Sequence, residues 1–566
     1  MRAARKITVR ALIRILAVLV LGLGAAGAFL SPSPFAAAPV LTEPSVRTIP
    51  YTNVHPLGAN FFLDQEVEFW KKEQTLKMAH DAGLGWIKQM FAWVDIEPQK
   101  GVFWDEKYMK STWEKFDAIV SLAEKYDLRI IARLDKPPAW AVKDPSIKSG
   151  PPRNLEDFGN YVYNVVSHYK GRIQFYQIWN EPNLAGEWQG EKVDAVRYVE
   201  MLKIAYRRAK EADPNVVILS APLAQTLDNS GENVSDLSYL DTMYRAGAKD
   251  YFDILSANAY GFDRPPHDEP SESVLNFRRV ELMHDIMVRS GDAQKPIWLN
   301  EFGWNAAPAS TSPDRLTWGR VTEQQQAEYT REAIQIARTW EWLGVINLWY
   351  FRQVGQYPLD SAEYYFRLVD VDFVPRLAYQ VLKDVSASLR VAGPGYHEET
   401  DPAVDYKGVD YKSGWQTILL PNASGRTVAS SSTPGDSLSF VFRGTGVNLM
   451  VWKNRAGGRL IVRIDGAPAP LLPRDSSGQA YIDLLSTSGD YRENDSVARG
   501  LAPGRHTVDI RVGDASSQSG GGQSNLIDGF EVFTGDVSPW PFWSFAGMSV
   551  VGLLTIGASW FPRRRR

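Results

Sequence analysis

The chain has 566 residues, 44% hydrophobic and 23% charged, which is enough for more than one folding unit and excludes a disordered, collagen-like or polytopic membrane protein. A formal charge of −4, from 62 basic and 66 acidic residues, leaves no global positive field to hold nucleic acid. With no cysteine, disulfides, thiolate metal sites and cysteine nucleophiles are excluded together. The first 14 residues carry Arg2, Arg5, Lys6, Arg10 and Arg14 and no acid, and an apolar run at 15–30 follows, which predicts a signal peptide or signal anchor over 1–42.

From His55 onward, short apolar runs alternate with amphipathic stretches, the pattern of βα units. Strands are predicted at 57–63, 86–91, 129–134, 173–179, 216–220, 254–260, 296–300 and 345–350. Helices are predicted at 69–82, 112–126, 155–169, 193–212, 237–246, 274–290, 323–342 and 376–389. Eight repeats in one stretch, 43–390, match a (β/α)8 TIM barrel, whose chemistry sits at the C-terminal ends of its strands. A doubly wound sheet fits less well, because no Gly-rich phosphate turn follows the first strand.

Two strand ends stand out. The fourth reads Gln177-Ile178-Trp179-Asn180-Glu181-Pro182 and the seventh Ile297-Trp298-Leu299-Asn300-Glu301-Phe302, so Glu181 and Glu301 both leave the barrel at the same rim. A lone glutamate at a strand end is usually a solvated carboxylate, but two in matched Asn-Glu contexts are what glycosidic cleavage requires. One carboxyl protonates the leaving oxygen and the other attacks or stabilises the anomeric carbon. The 19 tryptophans suit the C–H faces of sugars and equally suit a core, so composition leaves both readings open.

Asn180-Glu181-Pro182 with the Asn300-Glu301 pair resembles glycoside hydrolase clan A, the retaining (β/α)8 glycosidases. So do Phe91-Ala92-Trp93-Val94-Asp95-Ile96-Glu97-Pro98, similar to the clan's β-xylosidase and β-galactosidase-like families, and the closing segments around Tyr364-Tyr365-Phe366-Arg367 and Pro375-Arg376-Leu377. The resemblance implies Glu181 as general acid/base, Glu301 as nucleophile and Asn180 as holder of the sugar hydroxyl beside the reacting carbon. It further implies Tyr260 as the group orienting the nucleophile and Trp349 as the floor under the cleaved sugar. Asn60, Trp93, Arg133 and Trp140 close strands one to three and are candidates to line the cleft or to brace loops. Glu97 reads as a structural loop contact. His55 and His267 read as ordinary polar residues, and no metal-ligand spacing and no cofactor motif occur.

Past Leu389 alternation replaces helical periodicity: Leu438, Phe440 and Phe442; Leu460, Val462 and Ile464; Val508, Ile510 and Val512. Segments such as Phe442-Arg443-Gly444-Thr445-Gly446-Val447 and Ile464-Asp465-Gly466 resemble galactose-binding-like jelly-roll modules, so 391–536 is expected to be a β-sandwich that binds glycan or acts as a spacer, with a Ser/Gly-rich loop at 516–524. Finally, 542–561 is uncharged and Arg563 to Arg566 follow, which predicts a transmembrane helix with a cytoplasmic tail over 537–566.

The expectation is therefore an α/β fold, a (β/α)8 TIM barrel followed by an all-β jelly-roll sandwich with terminal membrane-targeting segments. It implies cell-membrane localisation through the terminal helix, an extracellular catalytic domain, a carbohydrate substrate and no nucleic-acid partner. The expected activity is retaining hydrolysis of an O-glycosidic bond in an extracellular oligo- or polysaccharide. The alternatives are a non-catalytic glycan-binding protein on the same scaffold and a transglycosylase.

Overall fold

The computed structural model describes residues 49–356, 359, 361–409, 414–513 and 524–534. Eight parallel strands form the first unit: β1 (Leu57–Phe61), β2 (Trp86–Ala92), β3 (Arg129–Asp135), β4 (Phe175–Ile178), β5 (Val217–Leu219), β6 (Leu255–Tyr260), β7 (Ile297–Gly303) and β8 (Leu343–Leu348). Their hydrogen-bonded order is β5-β4-β3-β2-β1-β8-β7-β6. A parallel bridge between Leu219 and Ile254 joins the two ends, with Ser220 N donating to Ile254 O at 3.1 Å, so the sheet rounds into a barrel. The eight predicted strands fall on these eight.

Helices α1 (Phe69–Asp81), α2 (Glu114–Lys125), α3 (Leu155–His168), α4 (Ala195–Ala212), α5 (Asp236–Arg245), α6 (Val280–Arg289), α7 (Glu323–Ala337) and α8 (Leu377–Leu389) alternate with the strands. Each buries one stripe. In α3 the stripe is Phe158, Tyr161, Val162, Val165 and Val166, spaced three and four apart as a 3.6-residue repeat demands. Helix starts are capped by short polar side chains: Asn154 accepts from Glu156 N, Asp194 from Val196 N and Arg197 N, and Thr322 forms a reciprocal box with Gln325. The helix predicted over 274–290 is shorter, because a 3-10 turn at Phe277–Arg279 precedes α6.

Inward-facing residues divide the barrel along its axis. At the N-terminal end Trp86, Phe175 and Trp298 meet with centroids 4.9 to 5.1 Å apart and, with Ile131, Val217 and Val345, fill the bottom. Two residues further along the same strands the inward positions turn polar: Lys88, Gln177, Asn300, Asn347. The bottom is a plug and the top is a lined mouth.

The second unit takes in Ala392–His397 and the described residues from Ser431 onward. It contains β9 (Ser437–Gly444), β10 (Gly446–Lys453), β11 (Arg459–Ile464), β12 (Tyr491–Ala498), β13 (Gly504–Val512) and β14 (Asn525–Phe533). β13 pairs antiparallel with β9 and β11, and β10 pairs antiparallel with β12 and β14. The alternating residues expected inside, from Leu438 to Val512, are buried, and Phe440 stacks on Phe530 at 4.1 Å.

Two expectations are corrected. In place of a jelly-roll sandwich the chain has additional antiparallel sheets; alternation tells which face of a strand is buried, but pairing order depends on partners far away in sequence. The membrane-anchored fold, and with it the membrane partner and cell-membrane localisation, are overturned by the helices. Among the described residues none is long and apolar enough to cross a membrane. The longest, α4, has 18 residues and carries Arg197, Glu200, Lys203, Arg207, Arg208, Lys210 and Glu211. The segments read as membrane-targeting, 1–42 and 537–566, and 516–523 of the Ser/Gly-rich loop, lie outside the described residues.

Candidate active site

Plain alternation along β7 would turn Trp298 and Asn300 inward and Glu301 out. The register against β6 steps from Ala257–Leu299 to Asn258–Glu301, and that against β8 steps from Ile346–Leu299 to Leu348–Phe302. β7 therefore holds an extra residue at Asn300, a bulge that lets Asn300 and Glu301 both face the mouth. Asn300 Nδ2 donates to Gln177 Oε1 across the barrel at 2.7 Å.

Glu301 is buried at 4% exposure and accepts from three donors on two other strands: Lys88 Nζ at 2.9 Å, Tyr260 Oη at 2.9 Å and Asn258 Nδ2 at 3.4 Å. Burial pushes the Lys88 ammonium below the usual lysine value, and Glu301 opposes that push. Burial and then the Glu301 charge raise the Tyr260 phenol well above its usual value, so it stays a donor.

Glu181 follows β4 in an unusual backbone. Trp179 has φ 72° and Glu181 φ 40°, the left-handed region that costs a non-glycine residue roughly 1–2 kcal/mol. The first turn swings Trp179 outward against Phe158 and Trp188, where it is buried. Glu181 accepts from Asn258 Nδ2 at 2.7 Å. Removal from water, then the Glu301 charge and then Glu187 raise its carboxyl to about 8. By accessible area Glu181 is half-buried. The two glutamates thus differ in setting: the Glu181 carboxyl is raised, while Glu301 is held by an ammonium and two further donors.

Asn258 donates to both carboxylates from a single nitrogen, so the two accepting oxygens lie within about 6 Å of each other. This donor-rich surround, with an ammonium already on Glu301, suits anionic carboxylates rather than a bound cation.

The other expected residues divide. Asn180 is buried beside Glu181, and its Oδ1 has no protein partner among the described residues. Trp349, just past β8, is half-buried, meets Phe62 edge-on at 5.7 Å and leaves Nε1 without a protein partner. Arg133 faces inward but is tied to Asp135 by Nε at 2.6 Å. Asn60 is a clamp, donating to Asn300 O at 2.9 Å and Leu348 O at 3.2 Å. Trp93 is fully buried, stacked on Tyr161 at 5.3 Å, with Nε1 donating to Glu97 Oε2 at 2.7 Å. Trp140 Nε1 donates to Glu97 O, and Glu97 also accepts from Gly101 N, so these three residues brace the loop after β2. His55 lies before β1, at the plugged end, where burial lowers it to about 4; His267 pairs with Glu332 on the surface.

Lys88 and Asn258 were not predicted. A signal existed for Lys88, since a lysine two residues after Trp86 in a strand otherwise apolar on its inward side has to be paired inside the barrel.

The family model for glycosyl hydrolase family 10 matches residues 85–221, a span with Lys88, Asn180 and Glu181 but without Glu301. No curated protein matches the sequence. Solved structures with a similar course include a family 39 glycoside hydrolase from Bacteroides cellulosilyticus WH2, at 17% identity and TM-score 0.46 over 83% of this chain and 82% of that one. A monomeric β-xylosidase from Caulobacter crescentus CB15 aligns at 12% identity and TM-score 0.42 over 83% and 98%. A GH5_18 protein from Streptomyces cattleya, in complex with GlcNAc, aligns at 13% identity and TM-score 0.47 over 61% and 82%. The family match covers four of the eight barrel strands, β2 to β5, and supports an O-glycosyl hydrolase activity for this chain.

Proposed function

Starting from an O-glycosyl hydrolase, we propose that the chain cleaves its substrate by double displacement with retention, Glu181 serving as acid/base and Glu301 as nucleophile. The observation that carries this reading is the shared Asn258 amide. The bonds of 2.7 and 3.4 Å from one nitrogen bring an oxygen of each carboxylate within about 6 Å, which favours the close spacing of retaining pairs, about 5–5.5 Å, over the roughly 6.5–9.5 Å that seats a water in inverting ones. In the first step Glu301 Oε attacks the anomeric carbon while the Glu181 proton moves to the leaving oxygen, giving a glycosyl ester and a free hydroxyl. In the second, Glu181, now a carboxylate, takes a proton from water, the resulting hydroxide displaces Glu301, and both side chains return to their starting states.

Lys88, Tyr260 and Asn258 hold Glu301 in line, and the raised carboxyl of Glu181 supplies the proton for the leaving oxygen. Esterification of Glu301 removes the charge that raises Glu181, which turns an acid into a base when a base is needed. The unsatisfied Asn180 Oδ1 and Trp349 Nε1 are the partners for sugar hydroxyls. The reaction belongs to the stretch 43–390, with 391–536 as an accessory part.

Proton NMR of an aryl glycoside reaction tests this: the first sugar product carries the anomeric configuration of the substrate. A first product of opposite configuration would overturn the proposal.

A further inference from the structure

The surface around the mouth is lopsided. Among the described residues of the barrel unit the exposed aromatic side chains are Phe69, Trp70, Trp104 and Tyr108, at 56%, 56%, 45% and 61% exposure. All four lie on the loops that follow two paired strands. Phe69 and Trp70 open α1 after β1, and Trp104 and Tyr108 belong to the small hairpin of Trp104–Asp105 and Lys110–Ser111 between β2 and α2. Those loops leave the C-terminal strand ends, the rim that also carries Glu181 and Glu301. Among the described residues of the loops after β3 to β6, Trp140 and Phe262 are half-buried and no aromatic ring is as exposed as these four.

Two ring contacts link the chain after β1 to the chain after β8. Phe62, just past β1, meets the Trp349 ring at 5.7 Å, and Trp70 meets Phe373 of the loop after β8 at 5.8 Å. Two of the four exposed rings also have a polar group at the edge or over the face. Trp70 Nε1 donates to Glu68 at 3.3 Å, and the ammoniums of Lys107 and Lys110 lie 4.8 and 5.8 Å from the Tyr108 centroid. A flat apolar face flanked by hydrogen-bonding groups matches a pyranose, with its C–H face and hydroxyl edge, better than it matches hydrocarbon.

We infer that the rim over β8, β1 and β2 is a docking surface for a neutral polysaccharide, with Trp70, Trp104 and Tyr108 stacking sugar rings of the chain whose linkage is cut at the mouth. This rests on the hydrolytic reading above and adds to it that the enzyme cuts within polymers. Rings gripped on one flank thread an extended chain past Glu181 and Glu301, whereas a terminal sugar alone needs only the mouth.

The test uses the full chain with Trp70→Ser, Trp104→Ser and Tyr108→Ser combined. Its kcat/KM is compared with wild type on hydroxyethylcellulose, arabinoxylan and glucomannan and on a panel of 4-nitrophenyl glycosides. On a polymer that wild type cleaves, viscosity is expected to fall ahead of reducing-end release, and the variant to lose about tenfold or more. Its rate on the 4-nitrophenyl substrate stays unchanged, which also reports an intact fold. The single Tyr108→Ser variant gives the same split at smaller size should the triple variant fold poorly. Wild type active on 4-nitrophenyl glycosides and inert on all three polymers overturns this inference and leaves the hydrolytic reading standing; inactivity on both classes overturns both. Equal losses on polymer and aryl glycoside overturn the inference as well. So does a variant that keeps its polymer activity and loses only self-association or binding to phosphatidylcholine vesicles, which assigns the surface to a second copy or to lipid.

Discussion

The two ends of the barrel are built from the same strands and differ by one step of the pleat. On β2 the step runs from Trp86 to Lys88, on β4 from Phe175 to Gln177, on β7 from Trp298 to Asn300. The first member of each pair belongs to the aromatic plug and the second to the polar network under Glu181 and Glu301. Stability and chemistry are thus stacked along one axis, close enough to share backbone and distinct enough to be disturbed separately. The plug keeps water from the underside of the network, which is why a lysine and two glutamates at the top act on one another so strongly.

Mutations sharpen that contrast. Glu301→Gln is expected to lower kcat/KM by about four orders of magnitude, because no other carboxylate can form the ester; steady-state rates on an aryl glycoside check it. Trp298→Ala does the reverse at the plug. It should lose about 3–5 kcal/mol in urea unfolding, through the cavity left beside Trp86 and Phe175, while the folded fraction keeps kcat within a few-fold. A large fall in kcat at unchanged stability would show that the two ends are not separable. Lys88→Met should lower kcat/KM about a hundredfold, with Lys88→Arg recovering part of it, because the cation beside the nucleophile is what the reaction uses.

The smallest effects lie in the pH profile. With Glu181 raised to about 8, kcat/KM falls as pH rises through that value and the acid loses its proton. The folded state holds this proton between 4.5 and about 8 while the unfolded chain releases it, so the same group makes stability decline as pH rises across that window. Glu181→Gln removes both slopes. Asn258→Ala, which deletes a hydrogen bond that lowers the Glu181 value, moves the basic limb to higher pH by less than about one unit. A limb that stays in place would mean that Asn258 serves only to pack the mouth.

Period-two and period-3.6 patterns made the barrel legible before any coordinates, and the matched Asn-Glu strand ends made the carboxylates legible. What was not legible depends on register. The bulge at Asn300 shows only against β6 and β8, and the left-handed turn at Trp179 only against α3. Trp93 closes a strand and so reads as lining the cleft or bracing a loop; the short helix Trp93–Ile96 turns it under the loop.

The most direct test is covalent. An aryl 2-deoxy-2-fluoro glycoside of the sugar that the enzyme releases should form a stable ester, and mass spectrometry of the digested protein should find one sugar on the peptide containing Glu301, with none when residue 301 is glutamine. An unlabelled protein that continues to turn over, or a label on any other side chain, would contradict the pairing of Glu181 with Glu301.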